Sequence, residues 1–149
     1  MNQDMRYRAI IYREGRFTLA EFPDCPGCQT FAEPGEDIAE RAREALEGWL
    51  EAHLVVGEAP PRPSRVLRKS GASRILRCEV PARLAVKLEL RWARQRVGLT
   101  QEALARRAGV TQPMIAKMEN PDYNPTIETL EKVAKALGVR LEVSLKAIR

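Results

Sequence analysis

Apolar positions recur along this chain at two periods, and the changes between them mark its elements. Tyr7 to Arg13, YRAIIYR, is short and rich in aromatic and β-branched residues, which is the composition of a strand. Glu14-Gly15-Arg16 turns it, and Phe17 to Phe22 alternates Phe17, Leu19 and Glu21 against Thr18, Ala20 and Phe22, predicting an antiparallel partner. Pro23 to Gly27 is a turn by composition, after which Cys28 to Phe31 returns as a third short strand. From Ile38 the period becomes 3.6. Ile38, Ala42, Ala45, Leu46, Trp49, Leu50 and Leu54 lie on one helical stripe, opposite Glu40, Arg41, Arg43, Glu44, Glu47 and Glu51. Glu36 and Asp37 precede that stripe, where the positive end of a helix dipole favours acids. One helix lying on a small meander is therefore expected, with His53 a packed or solvated residue near the helix end.

Val55 to Ser64 carries Gly57, Pro60, Pro61 and Pro63 and reads as a stiff extended connection. The stretch from Arg65 to Arg77 resumes with Val66, Leu67, Ile75 and Leu76, and Ile75 to Val80 is expected to rejoin the meander as a fourth strand before Pro81 opens a helix. The expected domains are 1–82 and 83–149. In the second, Thr100 to Asn120 predicts two short helices hinged on Gly109, a residue that can take the left-handed conformation closing a helix at no Cβ cost. Thr100 and Thr111 are the N-caps, and Pro113 falls in the first turn of the second helix, where a missing N–H costs nothing. Leu104, Ala108, Val110, Ile115 and Met118 are the apolar positions, and small Ala105 leaves room for a neighbouring helix. Leu141 to Leu145 alternates apolar and polar residues, predicting an exposed strand that needs a partner and is a candidate dimer seam. The expected class is α+β: a small antiparallel sheet packed on one helix, then an all-α helix-turn-helix domain with a short C-terminal strand.

If Ile115 and Met118 point inward, Thr111, Gln112, Met114 and Lys117 lie on the other side of the second helix. These groups suit the major groove, where glutamine pairs bidentately with adenine, lysine reaches guanine or phosphate, and methionine touches a thymine methyl. Charge supports a polyanion partner for that half. The net charge of +5 divides into seven Lys+Arg against twelve Asp+Glu through Ser64 and eighteen against eight after it. The acidic first half suits a basic protein partner instead.

From about Leu84 to Val139, in "LRWARQRVGLTQEALARRAG", "VTQPMIAKMEN" and "PTIETLEKVAKALGV", the chain resembles the Cro and C1-type (Xre-like) repressor helix-turn-helix. The resemblance implies that Gln101 holds a phosphate while Gln112 and Lys117 face bases. Pro113 departs from the family, which often has a polar base-contacting residue there. Units of this kind usually act in two copies, reading half-sites roughly 34 Å apart, so a homodimer or higher homo-oligomer is expected.

Cys25-Pro26-Gly27-Cys28 has the C-x-x-C spacing of redox sites and of half a zinc site. A thioredoxin-like site needs a preceding strand and a helix opening at the motif, yet Phe31 to Gly35 intervene before any helical pattern. A structural zinc needs four ligands, and Cys78 and His53 belong to no second close pair. A proline-glycine turn is the reading adopted, with no metal, cofactor or catalytic residue. No apolar run approaches the roughly 20 residues of a membrane span and MNQDMRYR is unlike a signal peptide, so a cytoplasmic protein without a membrane partner is expected.

The first half, "RYRAIIYREGRFTLAEFPDCPGCQTFAEPGEDIAERAREALEGWL" followed by "PPRPS", resembles the HicB antitoxin domain, most specifically in Phe22-Pro23-Asp24-x-Pro26-Gly27-Cys28 and the helix that follows. The resemblance implies a reduced ribonuclease H-like fold, a HicA-like mRNA-cleaving toxin as partner, and repression of the protein's own operon through operator DNA. Ribonuclease H chemistry needs clustered carboxylates around two metal ions, with an acid on the first strand. Tyr7 to Arg13 has none, and Glu21 and Asp24 alone do not make the cluster. The expected function is that of an antitoxin and autorepressor and not of an enzyme; toxin-contacting residues are not identified. The alternative is a stand-alone repressor whose first domain senses a ligand or only oligomerises.

Overall fold

The computed structural model describes residues 5–64 and 74–148, which fall into two compact units, one ending at Leu84 and the other beginning at Ala85. Val66 and Leu67 lie outside the described residues.

The first unit is a four-stranded antiparallel sheet with one helix. Strands β1 (Arg6–Glu14), β2 (Phe17–Glu21), β3 (Gln29–Ala32) and β4 (Arg74–Glu79) take the order β3-β2-β1-β4. The register pairs Tyr12 with Leu19, Leu19 with Phe31, and Ile10 with both Glu21 and Ile75. Because side chains alternate across a strand, Tyr7, Ala9 and Ile11 share one face of β1 and are buried, as are Ala20 of β2, Ala32 of β3 and Cys78 of β4. Helix α1 (Ile38–Val56) covers that face with buried Ile38, Ala42, Leu46, Leu50 and Leu54. Its ends are chemically marked. The Asp37 carboxylate caps the first turn by accepting from the Ala39 N–H at 2.9 Å, and Gly57 at φ 82° turns the chain away. The helix runs two residues into the stretch expected as a linker, because Gly57, and not valine, is the stop.

The proline-rich segment is tied back to the turn between β2 and β3. Asp24 accepts from the Ser64 N–H at 2.8 Å and from its hydroxyl at 2.7 Å. The Tyr7 hydroxyl donates to the Pro61 carbonyl at 2.6 Å. The turn itself is closed by the Cys25 N–H on the Phe22 carbonyl, the Cys28 N–H on the Cys25 carbonyl and the Phe22 N–H on the Cys28 carbonyl. Asp24, weighed above as a nuclease carboxylate, is thus an anchor for this segment.

Helices α2 (Ala82–Arg96), α3 (Gln101–Ala108), α4 (Gln112–Met118) and α5 (Ile127–Ala136) follow. In the second unit Leu90, Ala93, Leu104, Ala105, Ile115, Met118, Leu130, Val133 and Leu137 form one apolar cluster, with Val110, Leu99 and Leu141 packed at its margin. The caps fall where side-chain chemistry requires. Thr100, Thr111 and Thr126 accept from the N–H groups of Ala103, Met114 and Thr129. Gly109 at φ 71° lets the chain leave α3, its N–H on the Arg106 carbonyl and that of Val110 on the Ala105 carbonyl. Leu141 to Leu145 corrects one expectation. Among the described residues none of 140–148 belongs to a strand, and no ladder pairs this segment with another described one.

Leu50, fully buried between helix and sheet, gives a direct test. Leu50→Ala is expected to destabilise the chain by about 2–5 kcal/mol, measured as a lowered urea midpoint of the transition reporting the first unit.

Candidate nucleic-acid interface

The site is built on α3 and α4, which Gly109 and the two threonine caps set against each other. Ile115 and Met118 are each 1% exposed and face the cluster. Thr111 and Lys117 are therefore at the surface, and Gln112 and Met114 are half-buried. Met114 leans inward: it packs at the edge of the cluster and its sulfur accepts from the Tyr123 hydroxyl at 3.6 Å. Pro113 lies exposed in the first turn of α4. Gln101, at the start of α3, is brought beside Gln112, whose Nε2 donates to Gln101 Oε1 at 3.0 Å.

Behind this pair stands a buried ionic cluster. Glu119, the C-cap of α4, is 3% exposed and accepts from Gln101 Nε2 at 3.1 Å. Arg94 grips it with two nitrogens, Nε on Oε1 at 2.6 Å and a terminal amine on Oε2 at 3.0 Å. Arg91, 2% exposed, reaches Oε2 at 3.3 Å and the Glu119 carbonyl at 3.4 Å. Burial pushes the Arg91 guanidinium below its ordinary range, and the Glu119 charge opposes that shift. Lys87, fully buried, donates to the Pro121 carbonyl at 2.8 Å. These cations on α2 meet the C-terminal end of α4, where exposed carbonyls favour positive charge. A continuous run of bonds thus links α2 to Gln112 through Glu119 and Gln101. Sequence reading had Gln101 and Gln112 but missed Glu119, Arg91 and Arg94; their one signal was an acidic residue at the apolar end of a short helix, with arginines at i and i+3 on α2, two helices earlier.

The chemistry this permits is specific. A glutamine amide carries two N–H groups and an acceptor oxygen. With one N–H given to Gln101, Gln112 keeps the other beside its oxygen, the pair that adenine N7 and N6 require.

In the first unit, the sheet face away from α1 carries Ile10, Tyr12, Phe17, Leu19, Phe31 and Ile75. Tyr12 is 36% and Phe31 55% exposed. The Phe17 and Phe31 rings meet edge to face at 5.5 Å, and the Arg16 guanidinium lies 5.0 Å from the Phe17 centroid. An open groove of about 610 Å³ is lined by Arg6, Arg43, Arg77, Asp37, Glu40 and Glu79. Its opposite charges pair internally, Arg6 with Glu79 at 2.8 Å and Arg43 with Glu40 at 4.0 Å. His53 bonds the Trp49 carbonyl through Nδ1 at 2.8 Å and stacks on the Trp49 ring. Among the described residues no group of three or more His, Cys, Asp or Glu is placed to hold a metal, and no helix is long and apolar enough to cross a membrane.

The three cysteines are buried free thiols. Desolvation pushes Cys25 up to about 12 and Cys28 and Cys78 up to about 11, from an ordinary 9.0. Each stays a protonated thiol at neutral pH, and the stability this preference supplies is lost only as pH rises past 9 toward those values. The folded chain should therefore resist iodoacetamide at pH 8, all three thiols reacting once it is unfolded, as read by intact mass. Glu119→Ala should destabilise the second unit by about 3–5 kcal/mol, because it leaves buried arginine charge uncompensated; thermal unfolding followed by circular dichroism measures it.

Residues 90–143 match the helix-turn-helix family of Cro/C1 type. An uncharacterised HTH-type transcriptional regulator of Haemophilus influenzae is 43% identical over 61 residues, 41% of this chain and 62% of that protein. That chain is thus spanned for less than two thirds of its length. Two other relatives extend across both units. Antitoxin HicB 1 of Photorhabdus laumondii is 30% identical over 146 residues, 97% of this chain and 89% of its own. Antitoxin HicB of Escherichia coli K12 is 30% identical over 141 residues, 93% and 98%. A DNA-binding helix-turn-helix following a small sheet-and-helix unit, with that likeness running through both, makes the chain a member of the HicB antitoxin family.

Proposed function

We propose that this chain neutralises a HicA-like mRNA interferase by direct binding and represses its own operon through operator DNA. The likeness to HicB antitoxins along nearly the whole chain carries this reading, and the split of chemistry between the units supports it. The second unit presents Thr111, Gln112 and Lys117 from α4, backed by Gln101. In this reading Gln101 holds a phosphate at the start of α3, Gln112 pairs with adenine in the major groove, and Lys117 reaches guanine or phosphate. Met114, turned toward Tyr123, contributes a thymine-methyl contact only at its exposed edge. Two copies of the chain read two half-sites.

The toxin is assigned to the open sheet face of the first unit. An apolar centre with aromatic side chains and a charged border is the composition of a protein-docking surface. Phe31 and Tyr12 occupy that centre, and neighbouring register positions carry Glu21, Arg8 and Arg77. No step of the reading requires a metal, a cofactor or a catalytic side chain of this protein.

Coexpression with the neighbouring short reading frame tests the reading: growth rescue together with copurification is expected. A harmless neighbour that does not copurify would leave a repressor whose first unit has another role. Phe31→Asp is expected to abolish copurification while operator binding persists, since an exposed position tolerates the charge. Lys117→Ala should weaken binding to operator DNA, and Gln112→Ala should cost about 1–3 kcal/mol on the cognate site alone. Equal losses for Gln112→Ala on both DNAs, read by titration at fixed salt, would remove its base-reading role.

A further inference from the structure

The two edges of the sheet differ. β3, at one edge, is four residues long and runs into Glu33-Pro34, a short strand closed by proline. β4, at the other, is six residues long and meets no proline before Pro81. Register decides which of its backbone groups face outward. The Val80 N–H donates to the Met5 carbonyl at 2.9 Å, continuing the β1–β4 ladder in which Tyr7 faces Cys78 and Ala9 faces Leu76. Hydrogen-bonded and non-hydrogen-bonded pairs alternate in an antiparallel ladder. Leu76, Cys78 and Val80 therefore turn their N–H and C=O groups to β1, while Ile75, Arg77 and Glu79 turn theirs away from the sheet. Among the described residues no strand lies beyond them, and no hydrogen bond reaches these outward groups. Those of Arg77 and Glu79 open on the groove of about 610 Å³ between β4 and the first turns of α1, where Leu76, Cys78 and Ala39 supply the apolar lining.

We propose that β4 pairs antiparallel with β4 of a second copy, the two-fold axis passing through Cys78, so that two four-stranded sheets become one. Charge and hydrogen bonding select this register together. Centring on Cys78 sets Arg77 opposite Glu79 of the second copy, twice by symmetry, as hydrogen-bonded pairs that use the outward N–H and C=O groups of both residues. On the face that carries α1 it sets Leu76 opposite Val80 and Cys78 opposite Cys78, which brings apolar groups to the groove. Centring on Arg77 would oppose that arginine to itself. Centring on Leu76 would oppose Arg74 to Cys78 and leave Arg77 facing Ile75. A shift that changes parity would set outward backbone groups against inward ones and exchange the two faces. A parallel pairing in register would stack Arg77 on Arg77. Both charged partners have capacity left. Glu79 gives Oε1 to Arg6 at 2.8 Å, which leaves Oε2 for Arg77 of the second copy, and Arg77 has no ion pair among the described residues. This interface uses an edge of the sheet and the toxin reading uses a face of it, so either can fail alone.

The test uses the full chain. The amides of Arg77 and Glu79, unbonded in a single copy, should exchange with deuterium as slowly as those of Leu76 and Cys78 once the chain dimerises, and faster on dilution. Arg77→Pro removes only an outward N–H, a change that an edge strand accepts. It should leave the circular dichroism spectrum unchanged and weaken the dimer roughly tenfold by sedimentation, since two symmetric ladder bonds are lost. Arg77→Glu and Glu79→Arg should each weaken it by a similar factor, because both symmetric pairs turn repulsive, and the double reversal should recover most of the loss. These reversals decide the matter if proline disturbs the strand. A dimer indifferent to the proline and to both reversals, with the Arg77 and Glu79 amides exchanging fast, overturns this pairing and leaves the two-copy operator reading to another surface. A chain that is monomeric at every concentration, on and off operator DNA, overturns both. Slow exchange at those amides that appears only when the product of the neighbouring short reading frame is added overturns the second-copy assignment and gives the edge to that protein.

Discussion

The carboxylate of Glu119 is the interaction on which the surface proposed to face DNA depends. A charge that deep is tolerable only because Arg94 meets it with two nitrogens, Arg91 adds a second cation, and Gln101 donates the remaining bond. Removing such a group from water is expensive, so the cluster is not an efficient source of stability. Its return is geometric. A salt bridge with fork geometry allows few arrangements. It holds the end of α4 against α2, and through Gln101 it sets the plane of the Gln112 amide before any DNA arrives. An amide fixed in advance loses less conformational freedom on binding than one free to rotate.

The first unit solves a different problem. Its sheet must bury one face to be stable, and α1 does so with leucines at helical spacing over Tyr7, Ala9 and Ile11. Covering one face leaves the other, and there the chain keeps Tyr12, Leu19 and Phe31 in register across three strands. A polar second face would suffice for a sheet that only had to dissolve. The turn carrying Cys25 and Cys28 shows the same economy. Its thiols are packing groups, and the carboxylate beside them, Asp24, fastens the proline-rich segment through Ser64.

Much of this was legible along the chain, for physical reasons that can be named. The strands of the meander followed from β-branched and aromatic runs, α1 from a seven-residue apolar stripe, and the hinge from a glycine between two threonine caps. Each is a local signal: backbone sterics and hydrogen-bonding at helix ends act within four or five residues. The same locality explains why the expected strand at Leu141 to Leu145 is not among the described elements. Leu141 to Leu145 has the alternation of a strand, but alternation states only that two faces differ; a ladder needs a second chain segment.

The sequence by itself determined the order of elements, their ends, the acidic and basic halves and the identity of the residues on the outer side of α4. Tertiary structure alone decided which of those residues are tethered. That Glu119 is buried beneath Gln101, that Arg91 and Arg94 reach it across 28 and 25 residues, that Met114 leans on Tyr123, and that Asp24 binds Ser64 across 40 residues are all consequences of packing. Hydrogen bonds between distant residues leave no period in a sequence. They exist because burying one charged or polar group obliges the fold to bring it partners, and which partners arrive is settled only when the helices close on one another.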